Sequence, residues 1–171
     1  MGRPPEKFTL NQQKIEIPYE HLLTEKQKMQ LHDNINVVNY RKKDVIFRQN
    51  TRTSHLMFIN SGYVKIFKEG RTDRTVILKI ATAGEYIGLM SVFGEKLHQY
   101  SASSISDSQI CDLDIMVVKS ILMENGRFAL HFLKLLSMDG LFVFNRLLSQ
   151  SHKQLPGRIA DLILYFSDDV Y

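Results

Sequence analysis

From Phe128 to about Ser151 the sequence is apolar nearly all the way round a helix of 3.6-residue period. Leu133, Leu136, Gly140, Val143 and Leu147 follow one another at alternating steps of three and four, and Leu141, Phe144 and Leu148 mark a second face. A helix with two apolar faces has to be covered twice. A folded body upstream can cover one face; the same helix of a second copy is the economical cover for the other, with Gly140 letting the two backbones approach. The expected assembly is a homodimer held by Leu133, Leu136, Gly140, Val143 and Leu147, and burial inside a single domain is the alternative. No run reaches the roughly 18 apolar residues of a membrane-spanning helix, so no membrane contact is expected.

The upstream body reads as β structure. Val37-Val38, Val45 to Phe47, Leu56 to Ile59, Tyr63 to Phe67 and Thr75 to Ile80 are short β-rich runs, parted by Lys42-Lys43-Asp44, Gln49-Asn50-Thr51 and Asn60-Ser61-Gly62. Many short strands at close, even spacing predict an antiparallel sandwich or barrel rather than βαβ units. Tyr63 to Phe67 alternates large and polar residues, which predicts one buried and one wet face, and should pair with Thr75 to Ile80 across the charged loop Glu69 to Arg74. A second β stretch runs from Tyr100 to Asp114, with Ile105, Ile110 and Leu113 turned inward. Between the two, Ile87 to Phe93 suits one helical turn.

Helices frame these strands. Thr24 and Gln27 form a capping-box signal ahead of a short helix containing Met29 and Leu31. Val117, Ile121 and Leu122 fit one helix after Asp114. Gln154-Leu155-Pro156-Gly157 interrupts the long helix, and Gly157 to Leu164 begins another.

Composition narrows the function. A single cysteine, Cys111, excludes an internal disulfide and any zinc or iron–sulfur site built on several thiolates of one chain. Inside a β run with no basic sequence neighbour it reads as a small packed residue. The 22 Lys and Arg against 18 Asp and Glu give +4, yet residues 101–171 carry six basic against eight acidic side chains. The clustered basic stripe of a nucleic-acid binder is missing. His21, His32, His55, His98, His131 and His152 sit in no metal or haem motif and read as surface or cap residues, so neither metal nor cofactor is expected. The polar start has no signal-peptide core, which with the lone thiol points to the cytoplasm.

Taken in order, these elements resemble the Crp/Fnr family of bacterial transcription regulators. Four stretches carry the resemblance: Tyr40 to Asn50, with Asn50 where a turn glycine is usual; Leu56 to Phe67 with Gly62; Gly84-Glu85-Tyr86-Ile87-Gly88 through Phe93; and Gly157-Arg158-Ile159-Ala160. The fold this implies is α+β and mostly β: an antiparallel jelly roll of the cyclic-nucleotide-binding type, followed by a long dimerisation helix. It divides the chain into an N-terminal extension (1–22), the jelly roll (23–126), the dimerisation helix (127–153) and the start of a truncated DNA-binding domain (154–171).

The resemblance also implies a phosphate-binding cassette at Gly88 to Phe93, where a one-turn helix turns free N–H groups and its positive end toward an anion. In cyclic-AMP-binding members a Glu follows the glycine and an Arg-Ser pair clamps the phosphate. This chain has Leu89 for the Glu, and Tyr100-Ser101 (or Gln99-Tyr100) for the Arg-Ser. Two missing charge-assisted contacts at about 1.5–3 kcal/mol each amount to roughly two to four decades of affinity. The base-contacting positions correspond to Val143 and Phe144. The expected effector site is therefore Gly88, Leu89, Met90, Ser91, Tyr100, Ser101, Val143 and Phe144, apolar enough for an unidentified small organic effector or for none, with cyclic AMP not a tight ligand.

The function implied is the effector-sensing and dimerisation part of a DNA-binding transcription regulator. DNA would be read through a C-terminal helix-turn-helix domain missing from these 171 residues. Arg41-Lys42-Lys43 reads as a solvated loop, with RNA polymerase as a minor candidate contact. A stand-alone regulatory module without DNA binding is the alternative. An enzyme on the related cupin barrel is not expected, because no two histidines stand two apart.

Overall fold

A computed structural model describes residues 14–70, 75–94 and 97–167, apart from the side chains of 146, 147 and 149–151. The Leu147 side chain and residues 71–74 of the expected charged loop lie outside the described residues. Two compact units divide the chain, Met1–Ala129 and Leu130–Tyr171.

The first unit is an antiparallel jelly roll of two four-stranded sheets. One has the order β1 (Ile35–Tyr40), β8 (Ser108–Asp114), β3 (His55–Ser61), β6 (Tyr86–Ile87); the other has β2 (Val45–Phe47), β7 (Ser101–Ser104), β4 (Val64–Glu69), β5 (Thr75–Ala81). Facing side chains of the two sheets make the core: Tyr40, Ile59 and Ile110 from the first meet Phe47, Val64, Ile66 and Ala102 from the second. The expected pairing of the Tyr63 and Thr75 runs is seen in the β4–β5 register, from Val64 opposite Ala81 to Glu69 opposite Thr75.

The outer face of the first sheet is also covered. Leu56 lies opposite Leu113, which lies opposite Ile35, and the layer above them holds the buried residues of α1 (Glu25–His32) and α3 (Ile115–Glu124). Both halves of the capping box form on α1: the Gln27 N–H donates to Thr24 Oγ1 at 3.3 Å and the Thr24 N–H to Gln27 Oε1 at 3.2 Å. Gln27 Oε1 also accepts from Asn125 Nδ2 at 3.0 Å, while Asn125 Oδ1 takes the Phe128 N–H at 3.1 Å. One asparagine thus caps α4 (Gly126–His152) and ties its start to α1.

Three expectations are corrected. The Tyr100 to Asp114 stretch is two strands in different sheets, and Ile105, between them, is exposed at 38%. Ile110 and Leu113 are both buried but on opposite faces, because β8 is covered on both sides. Alternation in β4 ends at a bulge between Ile66 and Phe67, which leaves consecutive residues buried. The expected helix with Val117, Ile121 and Leu122 is α3, whose buried residues are Val118 and Ile121.

The second unit holds most of α4 together with α5 (Leu155–Tyr165), whose first turn contains Pro156. The Lys153 ammonium donates to Asp161 at 2.7 and 2.9 Å, and the Phe142 and Tyr165 rings meet at 5.8 Å. Against the sequence expectation, Gly126–Asn145 is long and apolar enough, by length and composition alone, to cross a membrane. Its mean hydropathy is only 1.3, because Lys134 and Asp139 interrupt the apolar run.

The turn between β3 and β4 leaves no room for a side chain at Gly62. Its φ is +92°, and a Cβ there would stand 2.6 Å from the Asp107 carbonyl oxygen as well as colliding with Ser108. Gly62→Ala is expected to destabilise the chain by about 2–4 kcal/mol, the sum of backbone strain and displaced neighbours. Urea denaturation checks this; a loss under about 1 kcal/mol would mean the turn rearranges freely.

Candidate functional site

Glycine at 88 is the hinge between β6 and the five-residue helix α2 (Leu89–Phe93), at φ +81°. The Ser91 and Val92 N–H groups bond back to its carbonyl at 3.0 Å each. Its own N–H donates to the Tyr100 hydroxyl at 2.9 Å. A neutral oxygen from within the fold therefore satisfies that amide.

Its neighbours are similarly engaged. Ser101 is fully buried and its Oγ accepts the Gln49 N–H at 2.9 Å. Ser91 is buried and its Oγ accepts the Gln99 N–H at 3.3 Å. Leu89 is buried at 2% exposure, whereas Met90 is 39% exposed. The structure thus brings Gly88, Leu89, Ser91, Tyr100 and Ser101 together around one turn. Val143 and Phe144 belong to the second unit, where they are exposed at 37% and 57%.

Two features hold the cassette from outside. Glu85 pairs with Lys79 and accepts the Thr82 N–H at 2.9 Å, which shapes the turn before β6. Tyr86 donates to the Pro18 carbonyl at 3.0 Å, and burial raises its phenol far above the ordinary range.

His98 is the residue that sequence reasoning missed. Expected on the surface, it is 3% exposed, with its ring stacked on Phe47 at 3.8 Å and 12°. The ring also lies beside Gly88, where a Cβ would stand 3.5 Å from Cε1. Its Nδ1 is buried without a hydrogen-bond partner, and burial lowers its pKa, so the neutral form is favoured. Cys111 is fully buried, and burial, with the Asp112 charge adding, pushes its thiol up to about 12, which fits the packed role expected of it. Asn50 takes the left-handed conformation expected at its turn, at φ 64°.

The two-sheet roll, the glycine-led turn into α2 and the long helix after it define the class of fold. Residues 37–125, more than half of the chain, match the cyclic nucleotide-binding domain; the chain belongs to that family. Among solved structures it is similar to CLP of Xanthomonas campestris, a c-di-GMP responsive global regulator, at 17% identity over 85% of this chain and 73% of that one, with a TM-score of 0.73. FixK2 from Bradyrhizobium japonicum is 15% identical over 80% and 68% of the two chains, with a TM-score of 0.72. The sensor domain of the transcriptional regulator DNR from Pseudomonas aeruginosa is 22% identical over 70% and 80%, with a TM-score of 0.64. The likeness is one of fold. A comparison with curated proteins gives no match.

Tyr100→Phe removes the acceptor of the Gly88 amide and leaves the ring in place. The expected result is faster hydrogen exchange at Gly88 and a loss of about 1–3 kcal/mol in stability. Unchanged exchange at that amide would show that the hydroxyl does not occupy the cassette.

Proposed function

We propose that this chain is the effector-sensing and dimerisation part of a Crp/Fnr-type transcription regulator, working in the cytoplasm, not an enzyme, and not driven by cyclic AMP. The observation that carries this reading is the uncovered apolar surface of α4: Leu130, Leu133, Met138, Leu141 and Phe144 are each more than half exposed. Surface of that kind marks an interface, and a second α4 is the cover that an isologous dimer supplies. The expected dimer face includes Leu133, Gly140 and Val143, all exposed, and Leu136, which is half-buried.

The regulatory mechanism is a population shift: whatever the roll binds changes how Gly88 to Phe93 and α4 pack, and the dimer passes that change to DNA-binding domains. DNA is read by that further domain rather than by the roll. The occupied Gly88 amide and the buried Leu89 support the view that a cyclic nucleotide is not the trigger.

Sedimentation equilibrium on the 171-residue chain is expected to give twice the chain mass. Leu133→Asp is expected to weaken the dimer about hundredfold, since it would bury a charge against its symmetry mate. A monomer at all concentrations would overturn the dimer reading. Calorimetric titration with cyclic AMP is expected to show no saturation at micromolar ligand, and micromolar or tighter binding would overturn the claim about the trigger.

A further inference from the structure

The roll opens between β1, β2 and β3 into a cleft of about 660 Å³, within the range of small-molecule sites. The cleft is separate from the cassette: Gly88, Leu89, Ser91, Tyr100 and Ser101 are not among its walls. Its inner wall is apolar, built from Tyr40, Phe47 and Met57 with the ring of His98. Its rim is cationic, with Lys43, Arg48 and Arg52 against the single carboxylate of Asp44.

The charges at the rim are unequally spent. Asp44 already accepts the Arg41 N–H at 2.8 Å, and Arg48 lies 4.0 Å from Glu69. Lys43 and Arg52 have no carboxylate partner among the described residues. An apolar wall under cations that no described carboxylate neutralises favours a molecule that is greasy at one end and anionic at the other; a cation would be repelled, and a neutral ligand would gain nothing from the charges at the rim.

We propose that this cleft is a binding site for a small organic anion with an apolar body, of which an aromatic carboxylate is the simplest form. The body lies against the Phe47 side and the carboxylate meets Arg52 and Lys43. His98 connects this cleft to the cassette. Its ring stacks on Phe47 at the cleft wall and fills the space beside Gly88. Its backbone is tied to the cleft loop, the His98 N–H donating to the Thr51 carbonyl at 2.9 Å and its own carbonyl accepting the Asn50 N–H at 2.7 Å. A ligand seated on Phe47 therefore bears on the residue that packs against the hinge of α2; this coupling rests on the sensor reading, and the binding itself does not.

The test is a titration of the whole chain with 2-naphthoate, followed by backbone and histidine side-chain NMR, with 2-naphthamide as the uncharged match. Saturable shifts are expected at Phe47, Arg52 and His98, spreading to Gly88, with the amide at least about tenfold weaker. Lys43→Gln combined with Arg52→Gln, both at exposed positions, is expected to cost about tenfold or more in naphthoate affinity without lowering the melting temperature. No saturable binding, equal affinity for acid and amide, unchanged affinity in the double variant, or shifts centred on Tyr100 and Ser101 would each overturn the proposal. A monomeric chain that binds naphthoate in this way would remove the dimeric-regulator reading and leave the cleft; a dimer indifferent to naphthoate would do the reverse.

Discussion

Strand β8 is buried on both of its faces, and that double burial joins the parts of the first unit. Its Ile110 points into the core between the sheets, while Cys111 and Leu113 face the layer that holds α1 and α3. It is also one of the two inner strands of its sheet, bonded to β1 on one side and β3 on the other. Ile110 and Leu113, buried on its two faces, can take no polar substitution without leaving an unpaired group in a dry interior. Its register is pinned by a buried amide: Gln109 donates to Asn39 Oδ1 on β1 at 3.1 Å and accepts from Asn60 Nδ2 on β3 at 2.7 Å, bonds that a slip of one residue would break. Helix layer and roll are thereby held in one register, and Asn125, capping α4 while bonded to Gln27, extends that register to the start of the long helix.

The cassette follows from the same economy of polar groups. A left-handed glycine that turns β6 into α2 presents its N–H inward, and an inward N–H needs an acceptor. In a roll that binds a phosphate, the ligand can supply it. Here Tyr100, just before β7, supplies it. A phenol hydroxyl in that place has two consequences at once: it brings no positive charge that would draw an anion, and it occupies the amide. Both are what the proposed indifference to cyclic AMP would need.

The roll was legible because its signals are local. Turn residues such as Asn50 and Gly62, the Thr24–Gln27 box and the β-branched runs each report the conformation of their own few residues. Burial was less legible. The inward set at Ile110 and Leu113 could not be assigned to faces from the sequence, because a strand covered on both sides shows no alternation. His98 was missed for a different reason: its burial depends on Phe47, 51 positions earlier in the chain, and nothing in the residues around it announces a stacking partner across the sheet. The cassette could be placed by resemblance, but the bond from Gly88 to Tyr100 is a matter of three-dimensional reach. The basic residues at the cleft, Lys43, Arg48 and Arg52, flank β2 on both sides and look like ordinary solvated charge until the fold sets them at one rim.

Energetics bear on the proposed dimer. A large apolar side chain contributes about 1.5–3 kcal/mol when it goes from full exposure to full burial. The five α4 residues that are more than half exposed would enter a symmetric pair twice, so they offer on the order of 10 kcal/mol between them. Association itself costs about 4–15 kcal/mol in lost motion. The two quantities are comparable, so in the proposed dimer α4 alone would give an association whose strength depends on small changes in how well the two helices fit. An interface poised in that way suits a sensor better than a scaffold. A modest shift in the angle at which α4 is presented changes the fit of five side chains on each copy, and a free-energy difference of about 1–3 kcal/mol is enough to couple two sites in a regulatory protein.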